Sequence, residues 1–482
     1  MTSKQISIWL GPALFFLLML VQPDGISDEG WSVVRVAAWM LVWWVSEAVP
    51  IAVTSLLPIV LFPILGLLSI DKACMPYGHK FVFLFLGGFI LALAMEKCAL
   101  HKRIALGIVS ATGSGANTII LGFMLATAAL SMWISNTATT LMMLPIATSI
   151  IALLAKDPNE SRQTRNFSLA ILLGIAYAAN VGGIATLVGT PPNLVMAGIL
   201  SDNYEIEVTF TKWLAIGLPF SLIMLAIVYV MLTQVIYQNR IGRFGDAREI
   251  IQAEVAKLGR WTGQQQVVFG VFLITALLWI FRGQLNSIEW IPVLANLNDT
   301  TIAIVGAILL FILPARQDGK WEKRILSWAD TSKLPWGILL LFGGGMSLAA
   351  GFKASGLIES IAGGFADFST LGVAALIMIL ALISLFLTEM MSNLALVNIF
   401  VPVVAAISFG GGESPLMFAV PVTMAASCAF MFPMSTPPNA IVFASGQIKI
   451  SQMARAGILL NLLAVVVITV FCYFVLERWI GG

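Results

Sequence analysis

The chain has 482 residues, of which 59% are hydrophobic and 10% charged, against roughly 25% charged in an ordinary soluble domain. This composition excludes a soluble globular protein. Twenty-six Lys and Arg against 24 Asp and Glu leave a net charge of +2, without the basic surplus that a nucleic-acid partner requires. Four cysteines (Cys74, Cys98, Cys428, Cys472) and two histidines (His79, His101) form no CxxC or HExxH pattern, which argues against a disulfide framework or a zinc site. Fourteen Trp and 29 Phe suit aromatic belts at a bilayer surface.

A transmembrane helix needs about 20 mostly apolar residues. Such stretches run over 7–22, 32–49, 51–69, 81–100, 168–200, 211–237, 264–282, 299–315, 335–351, 415–446 and 455–478. The predicted fold is an all-α polytopic membrane protein with about 11 spans. Two further apolar stretches, 117–154 and 371–407, are interrupted near their middles by polar residues. Span 7–22 follows only Lys4 among basic residues and precedes no small-residue cleavage site, so it is expected to remain as an anchor rather than be removed as a signal peptide. Its polar exit, Gln22-Pro23-Asp24 to Asp28-Glu29, lacks Lys and Arg.

Basic residues in short loops give an orientation. With the N-terminus cytoplasmic and each interrupted segment entering and leaving on one side, cytoplasmic loops hold Lys102, Arg103, Lys156, Arg162, Arg165, Arg240, Arg243, Arg248, Lys257, Arg260, Arg316, Lys320, Lys323, Arg324, Lys333 and Lys449. Opposite loops hold Lys72, Lys80, Lys212, Arg282 and Lys353. This positive-inside bias predicts eleven crossings, an internal N-terminus and an external C-terminus.

The chain also repeats itself. Phe85-Leu86-Gly87-Gly88 with Lys97 recurs as Leu341-Phe342-Gly343-Gly344 with Lys353, Ser135-Asn136 recurs as Ser392-Asn393, and Thr190-Pro191-Pro192-Asn193 recurs as Thr436-Pro437-Pro438-Asn439. An odd number of crossings separates the paired elements, so the halves are expected upside down relative to each other. Inverted repeats that end in broken helices characterise secondary transporters, although a duplication kept for packing alone leaves the same trace. The expected organisation is an anchor helix over 1–31, a first repeat over 32–237 with a re-entrant hairpin at 117–154, a basic cytoplasmic linker over 238–263, and a second repeat over 264–482 with a hairpin at 371–407.

The first interrupted stretch carries Ser131, Ser135, Asn136, Thr137, Thr139 and Thr140 around its midpoint, with arms of about 17 residues that are short for a crossing. Irregular backbone at membrane depth survives only where protein buries it or where it lines a wet cavity. The tip offers neutral oxygens to a hard cation, and the start of the returning arm offers free N–H groups to an anion. The alternative is Ser and Thr joining two continuous helices by hydrogen bonds. The second stretch keeps Ser392-Asn393 but has Leu394 where the first has Thr137, so one hydroxyl is missing. Glu389 beside that tip is either a functional group or an acceptor for helix-end N–H groups. In both Thr-Pro-Pro-Asn elements, consecutive prolines remove two donors and clash with the preceding turn. The helix must unwind before them, freeing carbonyls at Gly189 and Ser435, or at the least it must kink.

These motifs resemble those of the divalent anion/sodium symporters, which include INDY-type bacterial dicarboxylate transporters and the mammalian sodium-dicarboxylate and sodium-citrate cotransporters. The resemblance covers essentially the whole chain and rests on the Ser-Asn-Thr tips and the paired Thr-Pro-Pro-Asn elements. It implies two co-transported Na+ ions, one at Ser131, Ser135, Asn136 and Gly189, the other at Thr388, Met391, Asn393 and Ser435. It implies substrate contacts at Asn136, Thr137, Thr190, Ser392, Asn393 and Thr436, with Pro191 and Pro437 shaping the pocket. Leu394 departs from the bacterial pattern, while an apolar residue there also occurs in animal relatives. A dimeric scaffold and an elevator-type moving domain in the bacterial inner membrane are further expectations from the family.

None of the four motifs contains Lys, Arg or His. A dicarboxylate brings about two negative charges, and an uncompensated buried carboxylate costs several kcal/mol. Helix ends supply about half a charge each, so the counter-charge is expected to arrive with the substrate as Na+. The expected function is sodium-coupled import of C4-dicarboxylates such as succinate, fumarate or malate. A sodium-independent dicarboxylate or citrate exchanger, and a sulfate- or arsenite-type carrier on the same scaffold, are the alternatives within transporters. An enzyme would need a nucleophile with a base or a metal cluster, which the sequence lacks. A channel would need a continuous wet pore, which a symmetric pair of hairpins opposes.

Overall fold

The computed structural model describes all residues except 1, 2, 22, 24, 114, 155–161, 240, 242–244, 289, 290, 318, 319, 323, 365–371, 481 and 482. Gln22, Asp24, Lys156, Arg240, Arg243, Lys323 and position 371 of the second hairpin therefore lie outside the described residues. Among the described residues, seven helices are long and apolar enough to cross a membrane: Ile70–Lys97, Arg162–Ile184, Phe210–Ile236, Gly263–Asn286, Trp336–Ala354, Asn393–Gly410 and Ile450–Arg478. Seven shorter apolar helices accompany them, among them Gln5–Leu20, Ile51–Ile64 and Asp299–Ile312.

Proline explains most departures from the expected spans. The stretch read as 51–69 consists of Ile51–Thr54 and Leu57–Ile64, with Pro58 at the start of the second piece. The stretch read as 168–200 divides into Arg162–Ile184 and Pro191–Tyr204, and 415–446 into Leu416–Ser427 and Pro437–Ala444. Helix Asp299–Ile312 stops before Pro314, where Ala315–Gln317 and Lys320–Glu322 pair as a short antiparallel ladder in an otherwise helical chain. Two segments assigned to loops are helices, Leu100–Ala111 and Leu357–Gly364. Each follows a left-handed residue, Ala99 with φ 56° and Gly356 with φ 70°, so the repeat extends through these turns. The basic linker contains a further helix, Gly245–Lys257.

Each interrupted stretch is a pair of helices around a short non-helical tip. The first pair is Ala116–Ser131 and Asn136–Leu154, the second Val373–Thr388 and Asn393–Gly410. The outgoing arm of the first packs on Arg162–Ile184, and that of the second on Leu416–Ser427 and Ile450–Ile480. The halves then cross over: Pro437–Ala444 lies against the first returning arm, and Pro191–Tyr204 against the second. From Leu169 to Ile184 the helix Arg162–Ile184 is buried on every face, as a stretch apolar all round must be. The remaining helices surround this centre; Lys80–Lys97 packs on Asp299–Ile312, and Trp336–Ala354 on the Ile51–Ile64 pieces.

The repeated Gly-Gly pairs mark close approaches of helices. A Cβ at Gly87 would stand 2.7 Å from the Ala303 Cβ, and one at Gly344 would meet the Ser55 backbone. Lys97 pairs with Asp330 at 2.9 Å, whereas its repeat counterpart Lys353 donates to the Asp202 carbonyl at 2.6 Å. The rest of the surface is rich in exposed Leu, Ile, Val and Phe, as a lipid-facing exterior is.

Candidate functional site

The two hairpin tips and the two helix breaks carry a matching set of hydrogen bonds. In the first half Ser131 Oγ lies 2.7 Å from the Ala179 carbonyl and 2.5 Å from Asn136 Oδ1. In the second, Thr388 Oγ1 lies 2.8 Å from both the Ala426 carbonyl and Asn393 Oδ1. A hydroxyl has one proton. Given to the carbonyl, it leaves the hydroxyl and amide oxygens facing each other through lone pairs, an arrangement a cation between them would stabilise.

The breaks bring carbonyls to the same places. A Cβ at Gly183 would stand 2.8 Å from Asn136 Oδ1 and 3.3 Å from the Gly189 carbonyl, so those oxygens converge on the bare face of Gly183. Thr186 donates to the Met132 carbonyl at 2.5 Å, tying the break to the tip. Asn193 then staples the unwound turn, its amide donating to the carbonyls of Gly183 (3.3 Å), Ile184 (3.4 Å) and Thr186 (2.8 Å). Asn439 repeats the staple on Ala429 (3.2 Å), Phe432 (3.2 Å) and Ser435 Oγ (3.0 Å). The structure thus brings Ser131, Asn136 and Gly189 together in one half and Thr388 and Asn393 beside the second break in the other. Neutral oxygens of this kind suit Na+ as cargo, hard cations preferring oxygen ligands.

The other expected residues lie around these clusters. Ser135 is exposed and accepts from the Ala138 N–H at 3.2 Å, capping the returning arm, while Ser392 makes no such cap. Asn136, Thr137, Pro191, Ser392 and Asn393 are half-buried, Thr190, Thr436, Met391, Ser435 and Leu394 are buried, and Pro437 is exposed. Thr190 and Thr436 are the N-caps of the helices that resume after the breaks, so the positive ends of two helix dipoles lie at the breaks, while the paired prolines at the first two helical positions offer no N–H groups.

Glu389 resolves as an acceptor. Only 1% exposed, it takes the N–H groups of Phe430 (2.8 Å), Met431 (2.9 Å) and Phe432 (3.2 Å) and the Asn461 amide (2.8 Å). Trans peptide geometry turns the carbonyls one residue earlier the opposite way. There the Ala429 carbonyl accepts from the Asn180 amide (3.3 Å) and Asn439, and the Phe430 carbonyl from the Tyr177 hydroxyl (2.7 Å).

Several residues of this arrangement had no role in the sequence reading: Asn193 and Asn439 as staples, Tyr177 and Asn180, and Trp133. Asn180 carried a signal, being an amide inside a long apolar stretch. Trp133, at the first tip, stacks on Phe210 and Trp279 and meets Phe272 edge-on. Its repeat counterpart Met390 is 73% exposed, so one tip is packed against its surroundings and the other is open.

Comparison with known proteins agrees with this architecture. The family described as the sodium:sulfate symporter transmembrane region matches residues 6–479. The sodium-dependent dicarboxylate transporter SdcS of Staphylococcus saprophyticus is 39% identical over 487 residues, covering 99% of this chain and 92% of the relative. Its namesake from Staphylococcus aureus strain MRSA252 is 38% identical over 485 residues, covering 100% and 92%. Among solved structures, Neisseria gonorrhoeae MtrF superposes with a TM-score of 0.58 at 13% identity over 86% of this chain and 84% of that one. The Alcanivorax borkumensis YdaH transporter gives 0.56 at 12% identity over 82% and 85%; these two likenesses concern the fold. With two hairpins, two proline-broken helices and a family match across nearly its whole length, the chain belongs to the sodium:sulfate symporter family of membrane transporters.

Proposed function

We propose that the protein is a sodium-coupled importer of C4-dicarboxylates, with succinate, fumarate or malate as cargo and two Na+ ions carried alongside. The observation that carries this reading is the pair of neutral oxygen clusters, Ser131–Asn136 and Thr388–Asn393, each beside an unwound helix. The names of the relatives support both sodium and dicarboxylate. Ser131, Ser135, Asn136 and the Gly189 carbonyl hold the first ion. Thr388, Asn393 and the carbonyls of Met391 and Ser435 hold the second. The carboxylates rest between the tips, on Asn136, Thr137, Thr190, Ser392, Asn393 and Thr436, with Pro191 and Pro437 as walls. The hairpins and broken helices move together as an elevator against a homodimeric scaffold in the inner membrane, with the N-terminus cytoplasmic and the C-terminus outside.

The cations are the substrate's counter-charge. Two carboxylates in a site built from neutral groups would each cost several kcal/mol, and two Na+ ions remove most of that cost when they bind first. The test is radiolabelled succinate uptake into proteoliposomes with and without an inward sodium gradient. Uptake should require the gradient and disappear in Asn136→Ala and Asn393→Ala, both of which should still fold. Uptake indifferent to sodium but driven by internal dicarboxylate would replace this reading with exchange, and sodium-driven sulfate uptake without succinate uptake would replace the cargo.

A further inference from the structure

The two halves of the site match in the oxygens offered to cations but differ in the donors offered to an anion. Asn180 is 2% exposed and reaches across the repeats, its amide nitrogen lying 3.1 Å from Thr436 Oγ1 and 3.3 Å from the Ala429 carbonyl. A carbonyl can only accept, so the nitrogen end of the amide must face this way. Thr436 Oγ1 therefore accepts from Asn180, and it also accepts from the Asn439 N–H at 3.4 Å. Both lone pairs are in use, and no acceptor for its proton is found among the described residues. A hydroxyl that accepts two hydrogen bonds is polarised into a better donor.

The first half has no equivalent. The Ala179 and Ala426 carbonyls make the same bond to the two hairpins, so the residue after each corresponds: Asn180 in one repeat, Ser427 in the other. Among the described residues Ser427 Oγ is buried without a partner, and Thr190 makes no side-chain cap bond. At the tips the inequality is reversed, with Thr137 in the first repeat and Leu394 in the second.

We infer that Asn180 is a positioning residue for the transported anion: it fixes the Thr436 hydroxyl as a donor to a substrate carboxylate, in the repeat whose hairpin tip has lost its own hydroxyl to Leu394. This rests on the placement of Thr436 at the anion in the proposed function. Asn180 touches neither the anion nor a cation and acts through Thr436 alone. The consequence is an affinity effect confined to the anion.

The test is a double-mutant cycle on the full chain in proteoliposomes, using Asn180→Leu, Thr436→Val and the double variant. Leucine approximates the shape of asparagine, and the Ala429 carbonyl keeps the Asn439 amide as a donor. Asn180→Ser, which copies Ser427, serves if the leucine variant does not fold. Asn180→Leu should raise the succinate KM about tenfold while kcat and sodium half-saturation stay within about twofold, and it should add nothing in the Thr436→Val background. Additive effects of the two substitutions, or a change in kcat or sodium dependence in place of KM, would overturn the inference. If the wild-type protein shows no sodium-driven succinate uptake, the proposed function fails separately. The same cycle is then read as thermal stabilisation by sodium sulfate, where loss of stabilisation by Asn180→Leu only when Thr436 is present supports the inference and equal stabilisation of all four proteins overturns it.

Discussion

Glu389→Gln isolates what a buried carboxylate does in a site that otherwise uses neutral groups. In the native chain three donors converge on Oε1, the Phe430 and Met431 N–H groups and the Asn461 amide, and one on Oε2, the Phe432 N–H. Glutamine can keep its carbonyl oxygen at the three-donor position, but its amide NH2 then faces the Phe432 N–H, donor against donor. Hydrogen bonds to a charged acceptor contribute about 1.5–3 kcal/mol each and neutral ones about 0.5–1.5. Three weakened bonds and one lost therefore destabilise the protein by about 4.5–7.5 kcal/mol. Alanine would remove all four, a loss on the scale of a protein's entire stability of about 5–15 kcal/mol, so the glutamine variant is the informative one. The assay is thermal unfolding in detergent at a fixed scan rate, with a fall of about 5 °C or more expected. In proteoliposomes its sodium half-saturation should also rise, because the 428–436 break loses the anchor that directs its carbonyls. A melting temperature within about 1 °C of wild type would refute the view that the carboxylate holds the break in shape.

Two further substitutions separate packing from recognition. Gly344→Ala should destabilise the protein by about 1–3 kcal/mol, because the new methyl meets the Ser55 backbone. Its repeat counterpart Gly88→Ala should be neutral in the same thermal assay, since the nearest atom to its Cβ is Val188 at 3.7 Å. Leu394→Thr restores the tip hydroxyl and should change the ranking of succinate, fumarate and malate in a competition panel while leaving sodium half-saturation unchanged. An unaltered ranking would remove residue 394 from the anion's surroundings.

The breaks and tips were legible in the sequence because polar residues and paired prolines stand out against apolar helices. Helices Leu100–Ala111 and Leu357–Gly364 were not, since His101, Lys102 and Arg103 in the first, and brevity in the second, make an amphipathic helix read as loop. Glu389 was visible as a residue and its acceptor role as one of two readings, but its partners were not. Its partners are mostly backbone N–H groups about 40 positions away, and a backbone donor leaves no mark on the sequence. Asn180 had the same difficulty from the other side, its partner Thr436 lying 256 positions along the chain in the opposite repeat.

The repeat itself holds a finer message. The offset is 257 for Thr388–Asn393 against Ser131–Asn136, but 247 for Ala426 against Ala179. Ten residues are therefore missing from the second half between the tip and the first carbonyl that touches it. Arg162–Ile184 is 23 residues long where Leu416–Ser427 is 12, which places the loss chiefly in that helix, upstream of the break. Both halves nevertheless keep the groups that could face a cation: the hydroxyl and amide oxygen at the tip upstream of the loss, and the carbonyl and asparagine staple of the break downstream of it. The differences at Thr137 and Leu394, and at Asn180 and Ser427, concern hydrogen-bond donors. Cations need oxygens at fixed distances, which constrains both halves equally. An anion can be held by unequal sets of donors, so differences between the two repeats are where selectivity among dianions can be altered without disturbing the ions that accompany them.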